Sequence, residues 1–183
     1  MPSDLPTIDD VIGPLAEALS GAPDPAVRAF AAMTLGQSAH PGAVMPLIGA
    51  LSDPEKQVRA MASMALARLG PEAVNPLIAS LMAESWVVRY RAAEALGGIQ
   101  DPRVPVALLS RLSDQKDHVR YMAAKALARQ PDPCTVDELL ALLHDENPYV
   151  RRAVAQALSV LVDRVDETAR VRIITALDEQ ITS

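Results

Sequence analysis

Three histidines, one cysteine, a few serines and a recurring pairing of aspartate with arginine are the residues here whose chemistry could matter. His40, His118 and His144 are far apart in sequence, and neither a His-Glu-x-x-His helix nor any other close histidine pair occurs. Cys134 is the single cysteine, which excludes an internal disulfide and a thiolate metal cluster and fits a reducing compartment. It stands near an expected helix start, where a thiol pKa can fall, yet beside Pro133 it reads as inert. Ser63 and Ser85 have no His/Asp constellation, and the scattered glycines form no phosphate loop. The expectation is therefore no catalytic residue, no metal and no cofactor.

The elements that would position any of these residues follow from internal periodicity. Val-Arg recurs at Val27-Arg28, Val58-Arg59, Val88-Arg89, Val119-Arg120 and Val150-Arg151, at spacings of 31, 30, 31 and 31. Leu35, Leu66, Leu96, Leu127 and Leu158 follow eight residues after each valine, and Ala31, Ala62, Ala92, Ala123 and Val154 follow four after it. Leu51, Leu81, Leu112 and Leu143 stand seven before the last four valines. Each unit thus reads as a helical hairpin: a first helix such as Val44, Leu47, Ile48 and Leu51, a polar turn, then the Val-Arg helix. Asp24-Pro25, Asp53-Pro54 and Asn147-Pro148 read as caps of second helices, and Pro41, Pro71, Pro102 and Pro133 as starts of first ones. Ala65, Ala95, Ala126 and Ala157 let helices approach closely.

The expected architecture is all-α: one solenoid domain over 1–183, with repeats at 8–38, 41–70, 71–100, 101–130 and 131–162 and a cap at 163–183. Ile8, Val11, Ile12, Leu15 and Leu19 close the N-terminal side, and Ile173, Ile174, Leu177 and Ile181 mark a last helix that caps the array, with dimerisation as its alternative role.

The pattern Asp-x5-Arg with Val before the Arg, then Ala-Ala-x-Ala-Leu, resembles the short HEAT-like repeats of the phycobilin lyase type. Asp53/Arg59, Asp114/Arg120 and Asp145/Arg151 carry the resemblance, which spans roughly 8–162. It implies a structural ladder of Arg28, Asp53, Arg59, Arg89, Asp114, Arg120, Asp145 and Arg151 along the inner turns, each Arg reaching acidic groups of its own or an adjacent unit. Ala83 replaces the Asp of the third unit, with Glu84 beside it, so an interruption is expected there. The iron-dependent hydroxylases built on HEAT repeats use repeated His-Glu pairs, and this sequence has none.

With each valine as zero and about 100° per residue, the core positions zero, four and eight span about 80°. Positions two, three, six and ten, with the residue before the valine, fall opposite, on the side that lines the concave face in HEAT-like solenoids. All five aromatic residues lie there or at its edge: Phe30, Trp86, Tyr90, Tyr121 and Tyr149. Met33, Met61, Met64 and Met122 share that side, with Arg91, Lys125 and Arg152 among its basic residues. Aromatic and methionine side chains are favoured interface anchors. Packing between units is the competing role, strongest for Met61 and Met122 at position three.

The face is basic although the chain carries a net charge of −6. The expected function is thus a non-enzymatic scaffold that binds a protein segment, an acidic one fitting best, with a phycobilin lyase-like or other tetrapyrrole-handling role as the alternative. The acidic balance disfavours nucleic acid. The start of the sequence does not read as a signal peptide, and no apolar run approaches the ~18 residues of a membrane span, so a cytoplasmic monomer or weak dimer is expected.

Overall fold

The protein, seen in a computed structural model, is described over residues 8–182, with side-chain surroundings from 10 to 180. The stretch 1–7 and the side chains of Ile8 and Ile181 lie outside the described residues. Every regular element among those residues is helical, and the chain has the α-solenoid fold of stacked helical hairpins. Contacts divide it into two compact units, residues 1–99 and 100–183, and the boundary coincides with the end of the third repeat.

The first unit runs through α1 (Ile8–Gly21), α2 (Pro25–Gln37), α3 (Val44–Ala50), α4 (Lys56–Leu69), α5 (Val74–Ser80) and α6 (Trp86–Leu96). First helices pack on first helices (α1 on α3, α3 on α5) and second on second (α2 on α4, α4 on α6). The second unit contains α7 (Arg103–Leu112), α8 (Asp117–Leu127), α9 (Val136–Ala141), α10 (Pro148–Leu161) and α11 (Glu167–Thr182). There α7 packs on α8 and α9, α8 on α10, and α11 docks against α9 and α10.

The repeat leucines are among the largest enclosed side chains: Leu35, Leu66, Leu96, Leu127 and Leu158 from the second helices, with Leu51, Leu81 and Leu143 just past the ends of first helices. Ala62, Ala92, Ala123 and Val154 are fully buried one turn earlier. Val27 departs from its counterparts and is exposed.

Prolines mark the first helices as expected, but mostly through a 3₁₀ turn. Pro41, Pro71 and Pro133 lie in such turns ahead of α3, α5 and α9, while Pro102 directly precedes α7. Asp24 and Asn147 cap α2 and α10 by accepting from Ala26 N and Tyr149 N. Asp53 does not cap α4, correcting the sequence expectation. That helix starts two residues after Pro54, and the Asp53 carboxylate accepts from Glu55 N at 2.8 Å, within the turn. Its side chain is needed elsewhere, as shown below.

One close approach demands a glycine. A Cβ on Gly36 would lie 2.5 Å from the Ala65 Cβ and 2.6 Å from its Cα, so α2 and α4 touch nearly backbone to backbone.

Candidate binding face and its arginine ladder

The polar turns are fastened by arginine. Arg28 places Nε and Nη2 at 2.8 and 3.0 Å from the Asp53 carboxylate of the following repeat, while its Nη1 donates to Ala22 O at 2.8 Å. Arg120 repeats the arrangement on Asp145, at 2.7 and 3.0 Å, with Nη1 at 2.9 Å from Asp114 O. A bidentate fork of this kind is the geometry that guanidinium and carboxylate share best. The Arg28 fork holds the Asp53 carboxyl below the ordinary carboxylate value. Burial pushes the Asp145 carboxyl up, but the Arg120 fork and the Asn147 N–H more than offset it, and the net is a lowered value.

Arg59, Arg89 and Arg151 anchor Nη1 on carbonyls of their own turns in the same way. Asp114 accepts from Lys116 N at 2.9 Å and pairs with Arg111 at 3.5 Å. At the third repeat Ala83 offers only its backbone carbonyl, to Arg89. The Nε of Arg59 is buried there with no hydrogen-bond partner among the described residues.

The outward side of the second helices carries the residues expected to bind. Within the first unit Phe30 (61% exposed), Met33 and Met64 are solvent-facing, Trp86 is at the exposed margin, and Met61 and Tyr90 are half-buried. Arg91 is 8% exposed, stacked on the Tyr90 ring at 5.3 Å and paired with Glu94 at 2.6 Å. In the second unit Tyr149 and Arg152 are exposed, Tyr121 and Lys125 half-buried, and Met122 is 3% exposed. Arg91 and Met122 are therefore not available on the surface, a correction to their placement among binding residues.

The physical reason is visible at position three. In Ser63, at position five of α4, the hydroxyl donates to Arg91 O at position three of α6. Position three of α6 thus faces α4 and is covered by it, and position three of α10, Ala153, is buried beside α8 in the second unit. Phe30 has the same position in α2, which has no second helix before it, and so it is open.

One part of this face is concave. Tyr121 of α8 and Tyr149 of α10 flank a cleft of about 290 Å³ floored by Asp117, His118 and Asn147. The same two rings border a second depression of about 260 Å³, continued by Lys125, Arg152, Ala153 and Gln156. The Lys125 ammonium sits 5.7 Å from the Tyr121 ring centroid, within cation–π range. At the other end Asp117 accepts from the Asn147 amide and meets His118 Nδ1 at 2.8 Å. The His118 hydrogen bond, helped by Asn147, holds the Asp117 carboxyl below its ordinary value. The site is polarised, with a fixed negative charge at one end, two tyrosines in the middle and two cations at the other.

Asn147 and Gln156 join the cleft without a signal in the sequence that marks them as binding residues. Asn147 is the cap of α10, with extended backbone, so a helical projection does not place it. Its Asn-Pro dipeptide signalled the cap but not the bond to Asp117.

Cys134 takes no part. Partial desolvation, followed by a hydrogen bond to Asp132, pushes the thiol up to about 11 although the residue is exposed. Among the described residues no group of three or more histidine, cysteine or acidic side chains could hold a metal ion, and no helix is long and apolar enough to cross a membrane.

The HEAT-repeat family model matches four times, over residues 12–97, 50–117, 74–159 and 105–179. The chain belongs to the HEAT-repeat family. Solved structures agree on the fold. The complex of CpcE and CpcF of phycocyanin lyase from Nostoc sp. PCC7120 aligns at TM-score 0.64 and 24% identity, over 80% of this chain and 97% of that one. A designed armadillo repeat protein in complex with the peptide (KR)4 aligns at 0.59 and 18%, over 90% and 87%. An engineered protein aligns at 0.59 and 21%, over 93% and 89%. Likeness at these identities is a likeness of fold. No curated protein matches the chain.

Proposed function

We propose that this HEAT-repeat protein is a non-enzymatic scaffold that holds an acidic segment of a protein partner on the outward face of its second helices. The observation that carries this reading is the Tyr121–Tyr149 cleft. It joins two aromatic rings, the preferred low-entropy anchors of interfaces, to the cations Lys125 and Arg152. An apolar residue of the segment fits between the rings. An aspartate or glutamate next to it fits the Lys125–Arg152 end, because the ionised Asp117 repels it from the other. Phe30, Met33 and Met64 are the corresponding exposed contacts in the first unit. The designed armadillo repeat protein of similar fold was solved in complex with the basic peptide (KR)4, and the charges at this cleft favour a segment of the opposite sign.

The test compares the wild type with a Tyr121→Ala/Tyr149→Ala variant. Affinity for the partner found in the native host should fall by about 30-fold or more, as expected for loss of hot-spot rings. The helical melt should stay nearly in place, since Tyr149 is 72% exposed. A partner held equally well by the variant refutes the reading.

The second reading is a tetrapyrrole-handling protein, favoured by the phycocyanin lyase neighbour and by rings that could stack on a bilin while Lys125 and Arg152 meet its propionates. Adding bilin to the purified protein separates the two, because an absorbance shift abolished by the tyrosine double variant supports only this one.

A further inference from the structure

The guanidinium forks of Arg28 and Arg120 close on a carboxylate of the following repeat, and that of Arg59 leaves its Nε without one. Arg28 and Arg120 tie Nη1 to carbonyls of their own turns and direct Nε and Nη2 at Asp53 and Asp145 of the following repeats. Arg59 is tied the same way, its Nη1 donating to Asp53 O and Pro54 O at 2.6 and 2.7 Å. The residue that should supply its carboxylate is Ala83, and the adjacent Glu84 points to solvent. The Arg59 Nε is consequently buried and unpaired. An enclosed donor on a permanently charged group is costly to leave unmet, and the planar fork matches carboxylate geometry in a bidentate way.

We propose that this edge of Arg59 is a carboxylate-binding site, where an incoming carboxylate takes the place that Asp53 and Asp145 take beside Arg28 and Arg120. Ala83 occupies the repeat position of those aspartates, and Arg59 as a whole is half-buried, so the group enters from the solvent side of the fork. The chemistry is that of a free carboxylate ion or of an aspartate or glutamate side chain from a bound partner. The site lies within the first unit and is independent of the tyrosine cleft.

Formate, titrated at ionic strength held constant with chloride, is the direct probe. The Arg59 Nε–Hε resonance, assigned by its loss in Arg59→Lys, should shift saturably while those of Arg28 and Arg120 stay fixed. In Ala83→Asp the resonance should already sit near theirs, the formate response should vanish, and Tm should rise by about 2–4 °C. A resonance that stays still, or drifts linearly in step with Arg28 and Arg120, overturns the proposal. So does a formate response that persists in a folded Ala83→Asp variant; should that variant fail to fold, the wild-type titration decides alone. A second arm uses N-acetyl-aspartate N-methylamide. Saturation at lower concentration than formate assigns the site to a partner's side chain, and saturation at equal or higher concentration assigns it to a free carboxylate.

Discussion

At the scale of single residues, the ladder shows how one arginine performs two tasks. Nη1 satisfies turn carbonyls that would otherwise be orphaned, and the opposite edge fastens the next repeat. In the Arg120–Asp145 pair both side chains are nearly enclosed, at 11% and 5% exposed. Replacing Asp145 with Asn keeps the shape but removes the charge, and should cost about 1–3 kcal/mol in urea unfolding. The pH dependence follows from the lowered carboxyl. A folded-state value below the unfolded one contributes stability that is fully present above about pH 4 and lost as pH falls through the folded value. The Asp145→Asn variant should therefore show a shallower acid limb than the wild type, measured by helical signal against pH.

At the scale of helices, position along the array decides what a given sequence position does. Position three is buried as Arg91 in α6 and as Ala153 in α10, yet open as Phe30 in α2. On the opposite flank, Ala32 and Ala124 at position five are fully buried beside α4 and α10, whereas Ala155 of α10 is only half-buried. A second helix thus has two covered flanks in the interior of an array and one at an end. The α2–α4 contact is the tightest consequence, because Gly36 lies against the Ala65 backbone. Gly36→Ala should destabilise by about 1–3 kcal/mol through overpacking, despite the better helix propensity of alanine. The measurement is a thermal or urea melt, and an unchanged midpoint would show that the two helices can separate freely.

At the scale of the whole molecule, stacking leaves an apolar face at each end that something must cover. At the N-terminal end α1 supplies Ile12 and Leu19, both buried. At the C-terminal end α11 inserts Ile173, which is fully enclosed, while Val171 and Ile174 on the same helix are exposed. Ile173→Asp should undock α11 and expose the apolar surfaces of α9 and α10. The expected result is a lower melting temperature with concentration-dependent association in light scattering. A variant that stays monomeric with an unshifted melt would assign α11 a role other than covering the end.

The amino-acid sequence alone determined the hairpins, because a 31-residue recurrence of Val, Ala and Leu can bury its stripes only by stacking, and the leucines that recur at positions eight after and seven before the valines are all buried. It also placed the aromatic residues on the outward side, since a helical projection needs nothing beyond local geometry. Tertiary structure alone decided which of those residues reach solvent. Arg91 shares a projection with Phe30, but burial at that angle depends on the presence of a neighbouring helix, which α4 provides for Arg91. The cleft likewise required two helices and a cap: Tyr121, Tyr149 and Asn147 meet across 28 residues of sequence only because α8 and α10 pack side by side. The unmet edge of Arg59 belongs to both levels, for Ala83 is written in the sequence while the buried Nε exists only once the repeats are stacked.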